Sequence, residues 1–267
     1  MEKYRVKAEE KIKLKNYDPD DTSLIPDGKP AGLAKMAELT QKLDKLQEVL
    51  FAEHKHKILI ILQARDAAGK DGTIRSVFSG INPQGVHIES FKVPSEIESD
   101  HDYLWRIHQQ VPGKGEMVVF NRSHYEDVLV VRVHNFVTKD VWKNRYDQIK
   151  NFEKMLTEEG ATILKFYLNI SRDEQKKRLQ DRIDDPAKNW KFNPGDLKER
   201  ALWDEYSSAY EDAFNETSTN LAPWYIIPAD HNWYRNFCVA SILVKTLEDL
   251  DMKYPAPTAD LSKIIID

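Results

Sequence analysis

A lysine, two aspartates and several small residues share the run Ala64-Arg-Asp-Ala-Ala-Gly-Lys-Asp-Gly-Thr73, and that combination suits a phosphate group. Ala67, Ala68, Gly69 and Gly72 carry little or no side chain. Backbone N–H groups there can curl around an anion at the positive end of a following helix. Lys70 then reaches the anion directly. Against the pattern G-x-x-x-x-G-K-[ST], Gly69 and Lys70 fit, while Ala64 replaces the first glycine and Asp71 the Ser/Thr. A carboxylate in such a loop repels phosphate unless a cation lies between them. Asp66 therefore reads as a magnesium ligand, and Asp66 or Asp71 takes over the metal-holding task of the missing hydroxyl. The competing reading of the loop alone is an ordinary strand-to-helix turn with a solvated lysine.

Two further sets join it. Asn121-Arg-Ser-His-Tyr-Glu-Asp127 follows a buried apolar run, and Arg122 has the fork that clamps phosphate bidentately. Glu126 and Asp127 could hold a metal or a nucleotide's polar edge, although adjacent carboxylates are as often solvated charges. His124 is flanked by an aromatic residue and takes no catalytic role here. Between Ser171 and Asn220, Arg178 and Arg182 stand four apart, hence on one helical face. They read as lid arginines closing over a transferring group. Asp173, Glu174, Asp181, Asp184 and Asp185 dilute the charge, so a salt-bridged surface helix competes with that reading.

The elements that must position these residues follow from periodicity. Continuous apolar runs at Ile58 to Leu62, Met117 to Phe120 and Ala161 to Leu168, with Val86 to Phe91 and Pro223 to Pro228, read as strands. Helices are expected from Leu33 to Phe51, Thr73 to Ser79, Glu98 to Val111, Lys139 to Leu156 and Trp233 to Leu250. Strands alternating with helices predict a three-layer, doubly wound α/β fold with a parallel sheet. Residues 171–220 are too long for a simple connection and read as a helical insertion, the lid. Residues 1–32, broken by Pro19, Pro26, Gly28 and Pro30, read as an extended surface arm before a phosphate-loop domain over 33–267.

Composition bounds the rest. A chain of 267 residues with 41% hydrophobic residues buries one sizeable core. A net charge of -5, from 39 basic and 44 acidic residues, argues against general nucleic-acid affinity, so any polyanion site must be local. Cys238 stands alone and excludes an internal disulfide or a Cys-based metal cluster. No signal peptide or membrane-spanning stretch is visible, which predicts a soluble, cytoplasmic protein without a membrane partner. The long helix from Leu33 makes a homo-oligomer conceivable.

The loop Gln63-Ala-Arg-Asp-Ala-Ala-Gly-Lys-Asp-Gly72, the segment Phe120-Asn-Arg-Ser-His-Tyr-Glu-Asp127 and the run Gln180-Asp-Arg-Ile-Asp-Asp-Pro-Ala-Lys-Asn-Trp-Lys-Phe192 together resemble the polyphosphate kinase 2 family, over about Tyr17 to Tyr254. The resemblance implies a thymidylate-kinase-like phosphate-loop fold, Mg2+, and reversible phosphoryl transfer between inorganic polyphosphate and the adenine nucleotides AMP, ADP and ATP. It implies catalytic roles for Asp66, Lys70, Arg122 and Arg182. Polyphosphate is expected on Ala67, Ala68, Gly69, Lys70, Asp71, Gly72, Thr73 and Arg178. The nucleotide is expected on Asn121, Arg122, Glu126 and Asp127, and the metal on Asp66 and Asp127. Many members carry Asp where this chain has Asn121; the Asn form with Glu126-Asp127 after it resembles the subgroup phosphorylating both AMP and ADP. Two rivals remain: a nucleoside monophosphate kinase using ATP as donor, and a phosphate-loop binding protein without turnover.

Overall fold

The computed structural model describes residues 1–266. Five strands, β1 (Lys57–Ala64), β2 (Val86–Ser90), β3 (Met117–Asn121), β4 (Ala161–Asn169) and β5 (Trp224–Pro228), form one sheet in the order β2-β3-β1-β4-β5. Every pairing is parallel, with Ile60 of β1 opposite Val119 of β3 and Leu164 of β4. β1 is buried along almost its whole length, and its residues split by pleat. Ile58, Ile60 and Leu62 face one apolar cluster, Leu59 and Ile61 the other, as a sheet covered on both faces requires.

Ten α-helices lie among the described residues, before, between and after the strands. They are α1 (Gly28–Glu53), α2 (Lys70–Phe78), α3 (Glu96–Ser99), α4 (Trp105–His108), α5 (Val130–Val133), α6 (Lys139–Glu158), α7 (Arg172–Asp184), α8 (Gly195–Ala201), α9 (Trp203–Thr217) and α10 (Asn232–Glu248). α1, α2 and α10 cover one face of the sheet; α6 and α9 cover the other. The expected three-layer doubly wound fold is the one observed. No described helix is long and apolar enough to cross a membrane.

Three expectations need correction. α1 begins at Gly28 rather than Leu33, since Pro30 sits in the first turn, where its missing N–H costs no bond. Glu98 to Val111 is not one helix. A Ser95 capping box starts α3, but Asp102 Oδ1 accepts the N–H of Leu104 (2.9 Å) and resets the chain before α4. The first 25 residues do not lie loosely on the surface: Tyr4, Val6, Ile12, Leu14 and Ile25 are buried, and the Val6 N–H donates to the Trp224 carbonyl beside β5 (2.8 Å). Proline and glycine punctuate this stretch, yet its apolar residues are spaced to dock one at a time.

Candidate active site

The order β2-β3-β1-β4-β5 reverses direction at β1, so the segments leaving β1 and β3 border one crevice beyond the strands' carboxyl ends. From β1 the chain enters the phosphate loop with Ala67 at φ 61 and Gly69 at φ 102. A Cβ on Gly69 would stand 2.1 Å from Nη1 of Arg235, so both the conformation and the close approach demand glycine there. α2 then starts with Gly69 as its N-cap residue. From β3, Arg122 also adopts a left-handed backbone, φ 64. That turn brings its Nη2 to 3.4 Å from Asp66 Oδ1. Asn121 donates from Nδ2 to Asp71 Oδ1 at 2.8 Å, tying the two segments together.

Two clefts open here and share Asp66 and Arg122. The larger, about 870 Å³, is bordered by Asp66, Ala67, Gly69, Lys70, Asp71, Gly72, Asn121, Arg122, Arg178, Arg182 and Arg235, with Lys92, Lys177, Lys188 and Lys191 further out. Nine of its residues are lysine or arginine against four carboxylates, the reverse of the chain's net negative charge. The smaller, about 280 Å³, has an aromatic wall of Trp203, Tyr206 and Tyr210 beside Arg65, Glu126 and Glu199. The Arg65 guanidinium stacks 3.8 Å above the Trp203 ring, and Tyr206 donates its hydroxyl to Glu199 at 2.6 Å.

The residues singled out from the sequence fall into three groups. Asp66, Ala67, Gly69, Lys70, Asp71, Gly72, Asn121, Arg122, Arg178 and Arg182 all border the larger cleft, and Glu126 borders the smaller one. Ala68 and Thr73 lie behind the loop: both are fully buried, and the Thr73 hydroxyl donates back to the Gly69 carbonyl (3.2 Å). Asp127 reaches neither cleft. Its carboxylate pairs with Arg145 at 3.0 Å, so the expectation that it holds metal or nucleotide is not matched by its position. Asn121, expected on the nucleotide, faces the larger cleft only.

Electrostatics separates these groups further. Burial lowers the Lys70 ammonium below the usual lysine range, and Arg122 adds to this against Asp66 and Glu126. Burial likewise raises Glu126, although Arg122 and Lys70 oppose it. For Arg122 burial disfavours the charge, but Glu126 and Asp66 outweigh it and hold the guanidinium above its ordinary value. Arg178 donates Nη1 to the carbonyls of Ala67 and Ala68 (both 3.1 Å), and Nη2 to those of Ala229 (2.7 Å) and Asp230 (2.8 Å). Its Nε reaches Glu174 at 2.8 Å, so this arginine fixes the loop's shape at the cleft's edge. Arg182 pairs with Asp196 at 3.0 Å and bonds the Lys191 carbonyl, joining α7 to the first turn of α8 and to the segment before it.

The turn His124–Asp127 is anchored from behind. His124 and Tyr125 are fully buried, and Lys165 and Glu153 form an ion pair of 2.6 Å in the core. Lys165 also donates to the Tyr125 hydroxyl (2.8 Å), which itself donates to Glu153 (2.8 Å). Burial lowers the His124 ring, so it is neutral near pH 7, and it borders neither cleft.

Sequence reasoning missed the aromatic wall and Arg235. Tyr206 and Tyr210 sit four apart on α9, a spacing that reads equally as core, and two of α9's neighbouring positions, Ala209 and Phe214, are core indeed. Arg235 lies in an aromatic helix segment with no motif around it.

Fold and site define a phosphate-loop kinase architecture with a basic cleft meeting an aromatic one. A model of the polyphosphate kinase 2 family matches residues 28–255, and the chain belongs to that family. It is 60% identical to the AMP/ADP-polyphosphate phosphotransferase of Meiothermus ruber across the full length of both chains. It is 47% identical over 230 residues to the ADP-polyphosphate phosphotransferase of Rhodopseudomonas palustris, covering 82% of this chain and 80% of that one. The crystal structure of polyphosphate kinase 2 from Arthrobacter aurescens superposes with a TM-score of 0.94 at 44% identity, over 96% of this chain and 92% of that one.

Proposed function

We propose that this chain transfers a phosphoryl group from inorganic polyphosphate to AMP and to ADP, reversibly and with magnesium bound. The observation that carries this reading is that two clefts of unlike chemistry share Asp66 and Arg122. The smaller offers aromatic faces on which a nucleobase can stack, and directs an acceptor phosphate toward the shared residues. The larger offers charge for a polyanion carrying about one negative charge per internal phosphate. Its border includes one aromatic, Phe91, 6% exposed, which leaves little for a donor adenine and disfavours an ATP-dependent monophosphate kinase.

The step joins a terminal oxygen of the acceptor phosphate to the terminal phosphorus of the chain and breaks that phosphorus's bond to its bridging oxygen. The bridging oxygen keeps the electron pair, and polyphosphate leaves one unit shorter. A phosphoanhydride is broken and another made, so the reaction runs in both directions. Such transfer depends on positioning and charge neutralisation more than on a protein nucleophile. In this reading Lys70 and the loop N–H groups hold the donor's end, Arg122 spans donor and acceptor, and Arg182 brings charge from the α7 side. Magnesium takes one or two carboxylates plus substrate oxygens and waters, and Asp66 at the junction suits it. Among the described residues no group of three or more His, Cys, Asp or Glu forms a preformed cage, consistent with a cation carried largely by phosphates. When bound it neutralises charge on the transferring group.

The test is to incubate the protein with AMP or ADP and magnesium, supplying polyphosphate or ATP as donor, and to resolve the nucleotides by ion exchange. ADP and ATP should accumulate with polyphosphate. Transfer that needs ATP and ignores polyphosphate would overturn the reading.

A further inference from the structure

Arg235 of α10 is 2% exposed and lies directly beneath the phosphate loop. Its Nη1 donates to the Ala68 carbonyl (2.8 Å) and to Asn232 Oδ1 (2.7 Å), while Nε and Nη2 both donate to Asn236 Oδ1 (3.2 and 3.0 Å). A guanidinium has five N–H donors, so one on Nη2 is left over. Nη2 lies 3.2 and 3.3 Å from the positions that Cβ atoms would take on Gly69 and Gly72, at the inner surface of the loop.

All of these acceptors are neutral. Among the described residues no carboxylate pairs with Arg235, and the charge that acts on it is another cation, Arg178, which shares the Ala68 carbonyl at 3.1 Å. Burial first, and then Arg178, push Arg235 down to about 9, which leaves it charged at neutral pH. Burying a guanidinium without an anion is costly, and an anion brought from outside would offset that cost. Arg235 borders the larger cleft and is absent from the smaller one.

We propose that Arg235 is a donor-binding residue, the charge beneath the phosphate loop that a phosphate of bound polyphosphate neutralises through Nη2 between Gly69 and Gly72. This rests on the larger cleft being the polyphosphate site. It makes the loop two-sided: backbone N–H groups meet the phosphate from the front, and the guanidinium draws it from behind.

Calorimetric binding of inorganic polyphosphate of defined length, without nucleotide and at several salt concentrations, tests the proposal with wild type, R235M and R235K. AMP binding is measured alongside. R235M should weaken polyphosphate binding about 10- to 100-fold, as expected for a lost charge-assisted bond. Its salt dependence should flatten by about one released counterion, with AMP affinity unchanged within about twofold. R235K keeps the charge but not the fork, so it should hold the wild-type salt slope and stay nearer wild type than R235M. A purely structural arginine predicts otherwise, because lysine cannot bridge Ala68, Asn232 and Asn236 and would fail like methionine. Equal affinity in R235M and wild type, or R235K no better than R235M, overturns the proposal. If R235M does not fold, R235Q, which removes the charge but can still hydrogen-bond, takes its place under the same expectations: weaker polyphosphate binding with a flatter salt slope supports the proposal, and wild-type affinity overturns it. Wild type that binds AMP but no polyphosphate overturns the reading of the larger cleft, and this proposal with it.

Discussion

Lys165→Met should be among the most damaging single changes outside the clefts, although residue 165 touches neither. Lys165 is fully buried on β4, and its three ammonium donors are all used, by Glu153 (2.6 Å), the Tyr125 hydroxyl (2.8 Å) and the Thr217 carbonyl (2.9 Å). Methionine fills similar space but leaves the Glu153 carboxylate in the core with only the Tyr125 hydroxyl (2.8 Å) and a long contact to His124 (3.4 Å). Breaking a buried pair in this way costs about 3–5 kcal/mol, against a total stability of roughly 5–15 kcal/mol for a typical domain. Replacing both members, as in K165M/E153L, removes the orphaned charge and should recover most of the loss. Urea denaturation followed by tryptophan emission is a suitable assay, since the Trp224 ring lies 5.4 Å from the ammonium. The pH dependence carries its own sign. In wild type, burial works against Glu153 but Lys165 and His124 hold it below the ordinary carboxylate range. Without Lys165 burial dominates and lifts it above the unfolded value, so K165M should regain stability as pH falls from 7 toward 5. Because Tyr125 anchors the turn after Arg122, kcat should fall too. A K165M cost under about 1 kcal/mol, or a double variant as unstable as the sum of its parts, would refute this account.

Lys70→Ala should lower turnover by about 10³-fold or more, on the scale of a lost charge at a transferring phosphoryl, while its melting temperature stays close to wild type; near-normal turnover refutes the loop assignment. Asp66→Asn keeps shape and removes charge, so its activity should need more magnesium than wild type does, and superimposable magnesium titrations would count against the ligand role. Burial lifts Asp127 to about 6 even though Arg145 opposes the shift. Its folded value thus exceeds the unfolded one, and the stability it contributes is present below about pH 4 and lost as pH rises through about 6. Asp127→Asn lacks this titration, so the variant should gain up to roughly 3 kcal/mol on wild type between pH 4 and 7; a difference that does not change with pH would dismiss it.

The centre of the sheet was legible because β1, β3 and β4 are covered on both faces: runs such as Ile58 to Leu62 and Met117 to Phe120 have no amphipathic alternative. The phosphate loop was legible from small residues and Gly69-Lys70, whose backbone geometry a local pattern encodes. Less was readable where tertiary contact decides. Glu126 and Asp127 are neighbours in sequence, yet the tight turn sends one to a cleft and the other to Arg145 on α6, 18 positions on. α9 was read as part of the lid, but Tyr210, Ala213 and Phe214 pack under the sheet, so the overhanging part of the insertion is α7 through α8. Arg178 shares a helical face with Arg182 as expected, but which carbonyls its guanidinium meets depends on the loop after β5.

The packed first 25 residues matter to anyone who would shorten this protein. The family match begins at residue 28, which invites trimming to that point. Trimming there would strip Tyr4 from its hydroxyl contact with Tyr234 (2.6 Å), the neighbour of Arg235, and bare the backbone edge of β5 around Trp224 and Tyr225. It would also remove Pro19, whose carbonyl receives the Asp230 N–H (3.1 Å), one residue from the Ala229 carbonyl that Arg178 grips. The segment is thus a brace running from the outer strand to the back of the phosphate loop, and a shortened chain would lose donor-site rigidity together with the cover on the edge of β5.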